Sequence, residues 1–202
     1  MHIPAVLLTT LVISTSVVAS EKVSLSDQHP VSANSQVELD IPVGELDIQV
    51  HDQPEVRYEV KIEEQDGNWF GSVDLSDVEV NVKHNDQRLY LSIDDDDIHQ
   101  HWIIWLPSDA NLEVDLGVGE VNIAGVQQNL MMEVGVGSVD VSLGAKNYHS
   151  IRLEAGVGDA DLSGFKDVEQ ERSIVSQDVH WRGNGQYEVD IEVGVGDVDV
   201  HF

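Results

Sequence analysis

The chain has 202 residues, one domain's worth, and is 41% hydrophobic with only 5% aromatic, so its core must be built mainly from Val, Leu and Ile, a composition that favours strands. Its 38 acidic side chains against 10 Lys and Arg give a formal charge of −28, which excludes nucleic acid and anionic membrane surfaces as partners, since both require a basic face. The absence of cysteine excludes disulfides, thiol catalysis and thiolate-held metal.

Residues 1–20 contain no Asp, Glu, Lys or Arg, and Ala5 to Ala19 is an apolar and Ser/Thr run ending in small residues. This predicts a signal peptide cleaved after Ala19 or Ser20, a periplasmic or secreted location, and a single all-β domain over 21–202. Alternating segments follow: "QVELDIPVGELDIQV" from Gln36, "EVRYEVKIEE" from Glu55, "DVEVNVKH" and "QRLYLSID" joined by an "NDQ" turn, and "HQHWIIWLP" from His99. A period of two is that of half-buried strands. "EEQDGNWFGS" reads as a loop, and no segment of ten or more residues carries a helical apolar period.

Four copies of one motif close the chain: "DLGVGEVNIAG", "EVGVGSVDVSL", "EAGVGDADLSG" and "EVGVGDVDVHF". Their second glycines, Gly119, Gly137, Gly158 and Gly196, lie 18, 21 and 38 residues apart, a period of about 19 with one copy missing. Placing position 177 under Gly196 fills the gap with "SIVSQDVHWRG", putting Asp178 under Asp197 and Trp181 in an inward position. Gly44 precedes Gly119 by 75 residues, close to four periods. In each copy two short apolar-alternating strands flank the glycines, which supply a bend or a close backbone approach. One strand-corner-strand unit cannot bury its apolar face alone, whereas stacked units can. The expectation is a β-solenoid-like stack, with an antiparallel β-sandwich as the alternative.

The order "ELDIQV", then "WIIWLPSDANLEVDLGVGEVNIAG", then further Gly-x-Gly strand pairs resembles the bacterial adhesin-like toast-rack repeat domains, over roughly Val37 to Val200. The resemblance implies an exported or membrane-attached all-β repeat domain without catalytic residues. The acidity of this chain departs from that pattern.

Aligned copies predict two outward acidic ladders after the glycine corner. One holds Glu120, Ser138, Asp159, Asp178 and Asp197, the other Asn122, Asp140, Asp161, His180 and Asp199. Carboxylates about 4.8 Å apart repel by about 0.9 kcal/mol even in water. A hard, oxygen-preferring cation relieves this, so Glu120, Asp140, Asp159, Asp161, Asp178, Asp197 and Asp199 are candidate Ca²⁺ ligands. The competing reading is a hydrated, salt-screened surface without a specific ligand. A second candidate lies in "DDDDIHQH", where Asp95, Asp97, His99 and His101 share one face if extended, a set suited to zinc or copper. The sequence has no G-x-S-x-G, no H-E-x-x-H and no phosphate loop, and Gly-x-Gly here lacks the helix of a dinucleotide site. A polysaccharide-cleaving β-helix, with Arg152 and Arg182 in an acidic groove, is the enzymatic alternative. Among the aromatics, Trp69 and Phe70 fall in the loop, while Trp102 and Trp105 occupy opposite strand faces. The expected function is non-catalytic binding or scaffolding, with a cell-surface glycan or protein as partner.

Overall fold

The computed structural model describes residues 22–64, 75–95 and 97–202. The expected signal peptide and the Trp69–Phe70 pair lie outside them. The strands are β1 (Lys22–Pro30), β2 (Gln36–His51), β3 (Glu55–Glu64), β4 (Asn81–Asn85), β5 (Arg88–Ser92), β6 (Ile98–Pro107), β7 (Asn111–Val126), β8 (Leu130–Leu143), β9 (Tyr148–Val157), β10 (Ala160–Leu162), β11 (Glu169–Arg172), β12 (Gln177–Arg182) and β13 (Tyr187–His201). A short 3₁₀ turn, Leu75–Asp77, is the one helical element among the described residues. No helix there is long and apolar enough to cross a membrane.

The long strands fold over at their glycines, as two observations indicate. In β7 the buried residues before the corner are Leu112, Val114 and Leu116, and those directly after it are Val121 and Ile123, with Val126 following a second irregularity at Gly125. The buried set thus shifts from even to odd positions across the glycines, as it does when the strand turns a corner and keeps facing one core. The connection tells the same story. β7 and β8 are parallel neighbours in register, yet only residues 127–129 separate them. Straight parallel strands need a crossover of a dozen or more residues. Here the second half of each strand is the return path, so each motif is one flattened coil.

Five coils stack in parallel, in the order β2, β7, β8, β13, then β9 with β10. Their glycines are in register: Gly44 with Gly119, Gly119 with Gly137, and Gly137 with Gly196. The architecture is all-β with a solenoid-like centre, and the in-register parallel pairing sets aside the antiparallel sandwich. At Gly119 (φ 156°) a β-carbon would overlap the carbonyl oxygen of Gly44, and the same overlap recurs from Gly137 onto Gly119. The motif is glycine because the coils approach too closely for anything else.

Three details of the periodicity differ from the expectation. The last coil in sequence, β13, inserts between β8 and β9, so spatial order departs from chain order. The segment at 177 is no degenerate coil: β12 runs antiparallel to β9, with β11 antiparallel beyond it. Nor do coils intervene between Gly44 and Gly119, which are direct partners; the intervening chain supplies flanking strands β3, β4, β5 and β6.

The core is a single cluster of mainly Val, Leu and Ile contributed by every coil. At the N-terminal flank, buried Trp102 donates to Gln100 Oε1 (2.9 Å), and Gln100 Nε2 donates to the Ile93 carbonyl (3.1 Å). At the other flank, Tyr148 donates to the Val126 carbonyl (2.8 Å), and burial raises its phenol well above the ordinary range. Trp181 faces inward beside Ile151 but sits half-buried at the rim, edge-on to Phe165 at 4.7 Å.

Candidate functional site

The coil geometry turns sequence positions into rows that cross the strands, and three outward rows are acidic. Immediately after the corner, Glu45, Glu120, Ser138 and Asp197 are consecutive partners. Asp159 continues the row, its N–H donating to Asp197 Oδ1 (2.9 Å). Two residues further on come Asp47, Asn122, Asp140, Asp199 and Asp161. The predicted Glu120, Asp140, Asp159, Asp161, Asp197 and Asp199 are therefore gathered on one face in two adjoining rows. Asp178 is not among them. It lies opposite Glu154 and Glu171 on the other side of the corner, because β12 runs antiparallel rather than as a coil.

Asp178 instead belongs to a third row, which the motif alignment passed over. Asp40, Asp115, Glu133, Glu192, Glu154, Asp178 and Glu171 are consecutive partners across seven strands. Its signal is plain in the sequence, since the residue two before the first glycine of every motif is acidic. Asp115, Glu133 and Glu192 line a shallow trough floored by Gly117, Gly135 and Gly194. Among the described residues none of these three carboxylates has a cationic partner, whereas Glu154 is held by Arg152 (2.6 Å). Arg182 stands apart from these rows, near Phe165 and Trp181.

In the second row the crowding reaches one carboxyl, Asp199. Asp140, Asp199 and Asp161 occupy neighbouring strands, spaced by about 4.8 Å. The Asp199 carboxyl is pushed up from its ordinary value, first by desolvation and then by Asp161, Asp140 and Asp197, with His201 opposing. His201 Nδ1 lies 3.8 Å from Asp140, and Arg172 pairs with Asp159 at 2.6 Å.

The histidine set is divided. His99 and His101 are on the outward face of β6, where His101 Nε2 approaches Asp47 (3.0 Å) and His99 Nε2 approaches Glu45 (3.8 Å). Asp95 and Asp97 form a turn of their own, Asp97 N–H donating to Asp95 Oδ1 (3.0 Å). Among the described residues no group of three or more histidine or acidic side chains is arranged to hold a metal ion. Neither candidate set is a preformed cage, and uptake of a cation requires side chains of neighbouring coils to close on it. Trp105 is on the outer surface with the Arg57 guanidinium stacked over it at 4.6 Å, and Trp102 is in the core.

Between the first and third acidic rows runs an apolar one. Val43, Val118, Val136, Val195 and Val157, each between the glycines of its corner or at the equivalent place, are partners in turn.

Several solved structures are similar. A chain from Clostridium sporogenes, named provisionally a cell adhesion protein, is 16% identical over 90% of this chain and 99% of its own, with a TM-score of 0.48. A provisionally named adhesin from Bacteroides fragilis is 12% identical over 89% of this chain and 97% of its own, with a TM-score of 0.31. One from Parabacteroides distasonis is 14% identical over 88% of this chain and 69% of its own, with a TM-score of 0.29. Comparison with curated proteins finds no match. The family model described as the N-terminal domain of toast_rack, DUF2154, matches residues 14–163, which is most of the chain, and the chain belongs to that family.

Proposed function

We propose that the chain is an exported, non-catalytic, adhesin-like binding module whose outer carboxylate face takes up Ca²⁺. The observation that carries the reading is the unbroken Asp140–Asp199–Asp161 row, with Asp197 and Asp159 alongside and the Asp199 carboxyl already resisting ionisation. A divalent ion between coils replaces that repulsion with attraction and staples coils together. Because no cage is preformed, affinity belongs with weak extracellular modules, on the order of 0.1–1 mM. The adhesin part takes over a role that the similar structures bear in name only; what supports it here is a long, regular, charged outer surface built from stacked coils. A cell-surface glycan or protein is the expected partner class.

Thermal unfolding in Ca²⁺, in Mg²⁺ and in NaCl of matched ionic strength tests this. Ligand at about a hundred times its dissociation constant adds roughly 2.7 kcal/mol, a rise of several degrees in a chain of this size. The reading expects that rise in Ca²⁺ beyond the other two salts. An equal rise in all three sinks it in favour of a salt-screened surface without a specific ligand.

A further inference from the structure

The valine row at the corner has no role in cation binding and lies outside the hydrophobic core. Val118, Val136, Val157 and Val195 are each 46 to 48% exposed, with Val43 half-buried at the end of the line. Their side chains lie on the exposed side of the corner. The rows on both sides are acidic. A contiguous apolar strip with charged margins is the pattern of an interaction surface rather than of scattered surface hydrophobes.

We propose that this valine ridge is the docking edge for a cationic amphipathic helix of a partner protein. Charge complementarity selects the partner: carboxylate rows border the ridge on each side, so a segment seated on it must bring Lys or Arg along both flanks of an apolar stripe. The formal charge of −28 opposes a second copy of this chain and any anionic polymer or lipid surface. Spacing selects the conformation. The valines recur about every 4.8 Å along the stack. Residues on one helix face recur about every 5.4 Å, whereas those on one strand face recur about every 6.7 Å. A helix of roughly thirteen residues, about 20 Å long, spans all five valines nearly in step.

The proposal rests on the reading of the chain as a binding module and is independent of Ca²⁺, so the experiment runs with a chelator present. The probe is a fluorescent peptide of about 18 residues made of Leu and Lys, with leucines at i, i+3 and i+4 spacing, titrated with the full chain at about 0.15 M ionic strength. Saturable binding is expected, weakened about tenfold or more when Val118, Val136, Val157 and Val195 are all changed to Thr, a β-branched residue of similar volume. Should that variant fail to melt cooperatively, the Val136→Thr, Val195→Thr pair serves, with a loss of about threefold expected. A variant with Asp140, Asp161 and Asp199 all changed to Asn should bind the peptide as the parent does, which separates this claim from the calcium reading. Three results overturn the proposal. One is no binding, or binding indifferent to the Val→Thr changes. Another is equal binding of a scrambled peptide of the same composition, which makes the attraction charge alone. The third is valine-dependent self-association in sedimentation, which makes the occupant a second copy.

Discussion

At Gly137 a β-carbon would strike the Gly119 carbonyl oxygen of the next coil while φ sits at 156°, so two penalties fall on one residue. Gly137→Ala should cost about 3 kcal/mol or more in urea unfolding, the sum of a backbone penalty and an overlap that only a shift of the coil relieves. Gly125→Ala is the contrast. Its φ is 92°, but the nearest atom to an added β-carbon is Val50 Cβ at 3.4 Å, so about 1 kcal/mol is expected. The Gly-Val-Gly motif was legible in the sequence for this reason: no other residue satisfies the approach, and four copies repeat the demand. Asp199 makes a second prediction. Its carboxyl titrates above its ordinary value in the fold, so the ionised form opposes folding, and that opposition is relieved as pH falls through the raised value. Asp199→Asn should therefore raise the melting temperature at neutral pH in the absence of divalent ions. The gain should fade on acidification below the ordinary Asp range; a gain that persists there would assign it to something other than charge.

At the scale of elements, alternation and its change of parity at each corner disclosed the coils, but their order in the stack was not readable. Near-identical motifs present near-identical edges, so any of them could neighbour any other, and the spacing of 38 between Gly158 and Gly196 looked like a skipped turn. The structure shows why it is not one. β13 fills the place beside β8, which leaves β11 and β12 to pair antiparallel on the outer edge of β9. The same misplacement put Asp178 in the wrong acidic row, while the six other ladder residues were placed together because their copies do stack. A chain ending before Tyr187 should consequently lose more than a terminal coil. Removing β13 separates β8 from β9 in the middle of the stack, and such a chain should show no cooperative thermal transition, where an ordinary repeat array survives loss of its last unit. At the opposite flank, Gln100→Leu strands the Trp102 N–H and withdraws a donor from the Ile93 carbonyl inside the core. A loss of about 1–3 kcal/mol in equilibrium unfolding is expected, with no change in the outer face.

For the whole molecule, what length and composition disclosed was a Val-, Leu- and Ile-rich strand core under a strongly negative surface; what they left undisclosed was that the charge is organised into rows. A net charge is the same whether carboxylates scatter or align, and only the register of five coils decides that Asp140 faces Asp199 and Asp199 faces Asp161. In the third row, from Asp40 to Glu171, the acid before each glycine pair was visible in the sequence, whereas Asp178 and Glu171 join it only because β12 and β11 extend the stack. Such rows make stability depend on counterions, and raising NaCl should stabilise the chain through screening. Specific uptake is a separate and stronger claim. The most direct measurement is calorimetric titration of the chain with Ca²⁺ at fixed ionic strength, beside a variant in which Asp140, Asp161 and Asp199 are all changed to Asn. Saturable binding with a dissociation constant on the order of 0.1–1 mM that disappears in the variant is the predicted result. Heats without saturation, or saturation untouched by the three substitutions, would contradict the assignment of Ca²⁺ to this row.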